Sequence, residues 1–515
     1  MLFRLHRQGF RTFLPSYAIL HVEIVTLCEI CWSGLHLDAL WTTLRGRFVV
    51  TRSTADQLRS SIGDPMERFL IVVALQAMFA SVGMAAESGD TEALLKVKSH
   101  FITQGQTEAV FNNLSTWNGS VCSGPGLTSW KGVSCQNGTV TGISMQWGLK
   151  GTLPSDLADL KALSEIQLQQ NNLTGPLPES WSDLGTLTYL DLSQNHLTGT
   201  LPDTWSDLTS LQVLYLYQNN ITGTLPSSWA DLKALSMLGI SQNNLTGKMP
   251  DGWSNMQSMN RLNLGQNRLT GTIPASWSSM ALNYAIFSSN YLTGTLPPSW
   301  SNLTGLATLA FNSNNLTGPL PSSWSVFQSL TGLHLDANNL SGPLPESWSN
   351  VSFLQQLSMA DNTLSGTLPA SWSGLTNLLG LNLSHNNLEG TLPASWSALN
   401  AMAYNNGSKA TTAFIPPDSY LPGDDPIRGL DLSANKLIGT LPSSWSTLAH
   451  ISDLFLENNR LTGTLPESWS NMKELSKLNI SGNNLTGTMP SSWQNMKQAN
   501  IDVSGNNLIG EPKSA

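Results

Sequence analysis

Apolar and polar positions recur along the chain in a phrase that returns about every 24 residues from Leu163 onward, L-x-x-L-x-L-x-x-N-x-L-T-G-T-L-P-x-S-W-S-x-L-x-x. Its asparagine column starts at Asn171, Asn195 and Asn219 and ends at Asn506, with one residue lost on entering Asn290 and Asn506 and a long step between Asn386 and Asn435. The L-x-L core predicts a short strand whose alternate side chains point inward. So short a strand buries little alone, so neighbouring coils must stack into one continuous core. The asparagine is expected buried at a turn, its amide paired with the turn backbones of adjacent coils. Glycines such as Gly175 and Gly199 supply permissive dihedrals where the chain bends. Leu201-Pro202 and its equivalents predict a second extended segment, because a residue before proline is held extended. The tryptophan column, Trp181 to Trp493, has a leucine or methionine three residues on, as in Trp205 and Leu208. It predicts a short helical turn on the outer side, with the rings filling core volume. The whole pattern predicts an α/β solenoid.

Two stretches break the period. Residues 401–426 insert roughly one repeat length, with Asn405-Asn406-Gly407, Pro416-Pro417 and Pro422-Gly423-Asp424-Asp425-Pro426. Turn formers at this density cannot continue a coil. The insertion is read as a simple surface loop, with a functional loop on a rigid scaffold as the alternative. Near the other end, Met66-Glu67-Arg68 precedes an apolar run, Phe69 to Ala86, that closes on small residues. Basic flank, short apolar core and small exit residues describe a secretory signal peptide. Sixty-five residues precede it, so either Met66 is the true start or the run is an uncleaved signal anchor; the cleavage-like Gly83 to Ala86 favours the first. The expected organisation is 1–65 upstream segment, 66–86 signal, 87–139 cysteine-containing cap, 140–510 solenoid and 511–515 tail. No apolar tail for a lipid anchor follows the last coil. That coil is expected to expose an apolar edge, covered by a partner or by a missing continuation of the gene product.

Charge narrows the partners. Only 11% of residues are charged and the formal net charge is -9. With no Lys/Arg cluster, nucleic acid is excluded as a partner, as is an electrostatic membrane-surface role. A membrane connection would come only through the signal anchor or a missing carboxyl-terminal anchor. No Walker or dinucleotide glycine motif is present, and no cofactor or metal is expected. Cys28 and Cys31 form a C-x-x-C without the second pair a zinc site needs. His334 and Asp336 share a strand face, but with no nucleophile beside an ordered base they read as a surface ion pair, so no enzyme is expected.

The periodic phrase is identified as a leucine-rich repeat, and its L-x-G-x-L-P segment resembles the plant-type subclass. That resemblance implies an additional small sheet and a superhelical horseshoe. Ala93-Leu94-Leu95, Trp117, Cys122, Trp130, Gly132, Val133 and Cys135 resemble the cap that opens plant-type ectodomains. The resemblance implies a Cys122 to Cys135 disulfide sealing the first coil, in keeping with an oxidising compartment. The L-P-x-S-W-S-x-[LM] phrase is similar to the kinetoplastid surface antigens of the promastigote surface antigen and proteophosphoglycan type, over roughly Glu87 to Gly510. It implies a secreted or surface-displayed glycoprotein acting in adhesion or host interaction. The alternative is a plant-type receptor-like ectodomain or an inhibitor of polysaccharide hydrolases.

Recognition is then the expected function, with protein or glycan bound on the concave face. Outward strand positions lie there, and Tyr189, Tyr215 and Tyr217 cluster on adjacent coils, with Arg261 and Tyr284 further along. Tyr and Arg are enriched at binding hot spots, although partly exposed aromatics without a partner would look the same in sequence. Sequons at Asn118, Asn137 and Asn406, outside the regular coils, are the glycosylation candidates.

Overall fold

The computed structural model describes residues 89–117, 121–122, 130–402, 427, 429–496 and 498–509. The segments read as upstream stretch and signal, Asn118, nearly all of the insertion including Asn406, and the tail lie outside the described residues.

The cap begins with helix α1, residues 89–102, which buries Ala93, Leu94, Val97 and Phe101 on one face. Helix α2, Glu108–Ser115, follows, its amino end capped by the Thr107 hydroxyl accepting from the Val110 amide. Trp117 stacks on Trp130 with ring centroids 5.4 Å apart and donates its indole N–H to the Lys131 carbonyl. Cys122 and Cys135 form the disulfide that the cap resemblance implies. The antiparallel hairpin of β1 (Val133–Gln136) and β2 (Thr139–Ser144) then starts the inner sheet.

From β2 onward each coil repeats one cycle. In a representative coil, inner strand Arg261–Asn263 leads to outer strand Arg268–Thr272 and then to a 3-10 turn, Ala275–Ser279. The inner strands pair in parallel into a single 16-stranded sheet that β1 and β2 open. The outer strands form three sheets, of three, six and three strands. They end before the Leu-Pro pair, one step earlier than the proline argument places the second extended segment. Proline instead stands at the start of the 3-10 turn, as Pro274 does.

The asparagine ladder closes each coil onto the next. Asn314 Oδ1 accepts from the Leu292 amide of the preceding coil at 3.0 Å, while Nδ2 donates to Phe287 O and Phe311 O. Each of these carbonyls serves two amides: Phe287 O also accepts from Asn290 and Phe311 O from Asn338. The ladder runs through the insertion, because Asn435 Oδ1 accepts from the Leu388 amide and strand Gly380–Asn382 pairs directly with Gly429–Asp431. The coils before and after the insertion are therefore direct neighbours in the stack.

The tryptophans are buried, as their spacing predicts. Trp324, Trp348, Trp372 and Trp396 stack nearly parallel at 6.4 Å. Each donates its indole N–H to a proline carbonyl of the coil before, as Trp348 does to Pro321 at 3.0 Å. Burying so large a ring with its one polar atom satisfied gives the outer arc its core. Gly223 shows why the glycine column is needed: its φ is +83°, and a Cβ there would lie 2.7 Å from the Thr200 methyl of the preceding coil.

Candidate functional site

The inner sheet turns its outward positions, six, four and two residues before each ladder asparagine, to the concave face. Tyr189, Tyr215 and Tyr217 come together there. Parallel pairing sets Asp191 beside Tyr215 and Tyr215 beside Gly239. With no side chain at Gly239, the Tyr215 hydroxyl reaches over it to Met237 Sδ at 3.5 Å. The Tyr189 and Tyr215 rings meet edge to face at 6.3 Å, and Tyr215 and Tyr217 at 6.0 Å. Tyr189 and Tyr215 remain half-buried and offer ring surface, whereas Tyr217 is buried. Tyr217 alone departs from the partly exposed aromatics that the spacing suggested.

Electrostatics around the trio are one-sided. Asp191 is buried, and its Oδ1 accepts from the amide and hydroxyl of Ser193 at 3.0 and 2.6 Å. Burial raises its carboxyl above the usual range, the Ser193 bonds opposing. Burial, and then the charges of Asp191 and Glu165, push the Tyr189 phenol up to about 12. Over the described coils, these outward positions carry Glu165, Asp191, Asp336, Asp431, Asp453, Glu457 and Asp502 against two cations, Arg261 and Lys477.

Arg261 and Tyr284 form a second group. The guanidinium lies over the Tyr284 ring, 4.9 Å from its centroid, on the coil that leads away from Tyr215. Tyr284 is buried under it, so this pair presents the arginine rather than the ring that sequence placed on the surface. Next to it Ile286 and Ala310 make a small buried apolar contact outside the main core.

Burial lowers the His334 imidazole to about 4, so it is neutral near pH 7. It therefore does not form the ion pair with Asp336 that their spacing suggests, and Asp336 instead accepts from the Ala360 amide at 3.1 Å. Among the described residues no three His, Cys, Asp or Glu side chains are placed to hold a metal ion, and no helix is long and apolar enough to cross a membrane. Asn137 is exposed at the tip of the cap hairpin with φ +52°.

Sequence reasoning missed one backbone feature. The residue before most ladder asparagines has positive φ without being glycine, as at Gln194 (+55°), Gln218 (+55°) and Ser313 (+58°). Its amide donates across to the next coil, as Gln218 N does to Ser241 O, which supports the left-handed geometry. The recurrent glutamine was the visible signal, but glutamine carries no conformational rule of its own.

Comparison with known proteins agrees with this architecture. A leucine rich repeat N-terminal domain matches residues 87–136, and leucine rich repeats match 186–245, 258–280, 377–399 and 426–508. No curated protein matches the chain. Among solved structures, the plant peptide hormone receptor RGFR1 in complex with RGF2 is similar, with 26% identity and a TM-score of 0.63, over 70% of this chain and 58% of that one. A TDR receptor is similar with 29% identity and a TM-score of 0.60, over 71% of this chain and 63% of that one. The chain thus spans less than two thirds of either receptor structure. The described residues thus form a leucine-rich repeat solenoid, opened by a segment that matches the leucine rich repeat N-terminal domain.

Proposed function

We propose that this chain is a ligand-binding ectodomain, secreted or displayed at the cell surface, that recognises a peptide or protein partner on its concave face and carries out no catalysis of its own. The carrying observation is the Tyr189, Tyr215 and Tyr217 trio, packed ring to ring on an inner sheet. Two rings keep exposed surface, and rigid aromatics of this kind supply contact area at low entropic cost. The likeness to a peptide hormone receptor in complex with its ligand supports the same reading. The disulfide in the cap supports an oxidising compartment. With it go a secretory signal and glycans at Asn118, Asn137 and Asn406.

The similar structures described above are plant receptors, and the receptor-type reading therefore leads over the surface-antigen one that the Trp-Ser phrase suggested. The test is site-directed photocrosslinking from the native cell surface. Benzoylphenylalanine at position 215 is expected to capture a partner, and at position 207 on the convex side it is not. Capture from position 207 alone, or undiminished binding by the Tyr215→Ala/Tyr217→Ala double variant, would remove the concave face as the site.

A further inference from the structure

The Ser193 clasp on Asp191 does not require a carboxylate. Asn382 makes the same two bonds to Ser384, at 3.0 and 2.7 Å, and Asn479 makes them to Ser481. An asparagine at 191 would satisfy the turn equally and avoid burying a charge, so the negative charge there exceeds what the fold asks for. Buried charge retained against its desolvation cost needs a reason outside packing. The reason is visible beside it: two half-buried tyrosine rings, with Glu165 exposed on the neighbouring coil. Gln169 Oε1, on that same coil, is shielded and has no hydrogen-bond donor. The nearest cation on the face, Arg261, is two coils beyond Tyr215 and stacked toward Tyr284. Aromatic faces backed by uncompensated carboxylates attract cations and repel anions.

We propose that the face from Glu165 to Tyr217 docks a basic polypeptide segment, with a lysine or arginine side chain of the partner stacked on the Tyr189 and Tyr215 rings and its charge balanced by Asp191 and Glu165. This rests on the concave-face reading above and names its partner class. The overall charge of -9 adds long-range steering, while the tyrosines fix where the segment lands.

The test is selection of a random octapeptide library on the full chain, followed by titration of the recovered peptides. Recovered peptides are expected to be rich in Lys and Arg. Asp191→Asn and Tyr215→Ala are each expected to weaken them about 10-fold or more, as at a hot spot. Glu179→Gln/Asp207→Asn removes charge from exposed convex positions and is expected to leave affinity within about twofold, because exposed charges are screened by salt. Asp191→Asn is also expected to melt no lower than the parent, which separates lost binding from lost structure. Equal weakening by the convex and concave variants would overturn the proposal in favour of general attraction to an acidic chain. Neutral or acidic peptides that are nevertheless lost with Tyr215→Ala would overturn the basic-partner inference and leave the concave-face reading standing. Peptides indifferent to both concave variants, or no recovered peptides at all, would count against both.

Discussion

Asn314→Ala tests the ladder logic most directly. The substitution removes from a buried site one acceptor and two close donated bonds, with a longer third contact to Asn312 O at 3.4 Å. The two carbonyls keep a partner, since Phe287 O retains Asn290 and Phe311 O retains Asn338. The Leu292 amide keeps none and is orphaned inside the stack. An orphaned buried N–H costs about 1–3 kcal/mol and the two lost donations add about 1 kcal/mol together, so the expected destabilisation is about 3 kcal/mol. That is a large share of the roughly 5–15 kcal/mol that holds a domain folded. Urea unfolding measures the total, and hydrogen exchange at the Leu292 amide measures the mechanism. Exchange is the sharper assay, because solenoid stability is distributed over coils and unfolding need not be two-state. Asn314→Asp makes the comparison specific: it keeps an acceptor for Leu292 but loses both donations and buries a charge. It is expected to destabilise at least as much while protecting the Leu292 amide better. A loss below about 1 kcal/mol for Asn314→Ala, with Leu292 still protected, would refute the assignment of the ladder as the inter-coil clasp.

Further outcomes follow from other sites. Gly223→Ala forces φ +83° on an alanine and presses its Cβ on the Thr200 methyl, with an expected loss of about 1–3 kcal/mol by chemical denaturation; an unchanged midpoint would show the outer strands to be slack. His334 is neutral when folded and protonates near 6.5 when unfolded, so its contribution is full above about pH 6.5 and is lost as pH falls toward about 4. His334→Gln is expected to flatten stability across that window, and an equally steep acid loss in the variant would assign the titration to other groups. Reducing Cys122–Cys135 opens a short loop, with 13 residues of sequence separation, and is expected to cost the cap about 3 kcal/mol. Proteolysis near α2 in reducing buffer, compared with oxidised protein, reads this out.

The sequence by itself determined the architecture because every structural requirement was written again in each coil. A buried asparagine must be paired, a glycine must take the left-handed bend and a tryptophan must fill the arc, and repetition at one period turned each weak local rule into a strong one. The same repetition located the concave face and put Tyr189, Tyr215 and Tyr217 on it. Contacts between particular neighbouring coils are not repeated, and these only the tertiary structure decided. Tyr284 is buried because Arg261 happens to stand one coil before it, and Tyr215 reaches across to Met237 because Gly239 stands one coil after. The sharing of Phe287 O between two asparagines, and the passage of the ladder straight across the insertion, likewise depend on which coil lies against which. A periodic pattern specifies what each coil must bury; lateral packing between unlike residues specifies what the finished face presents.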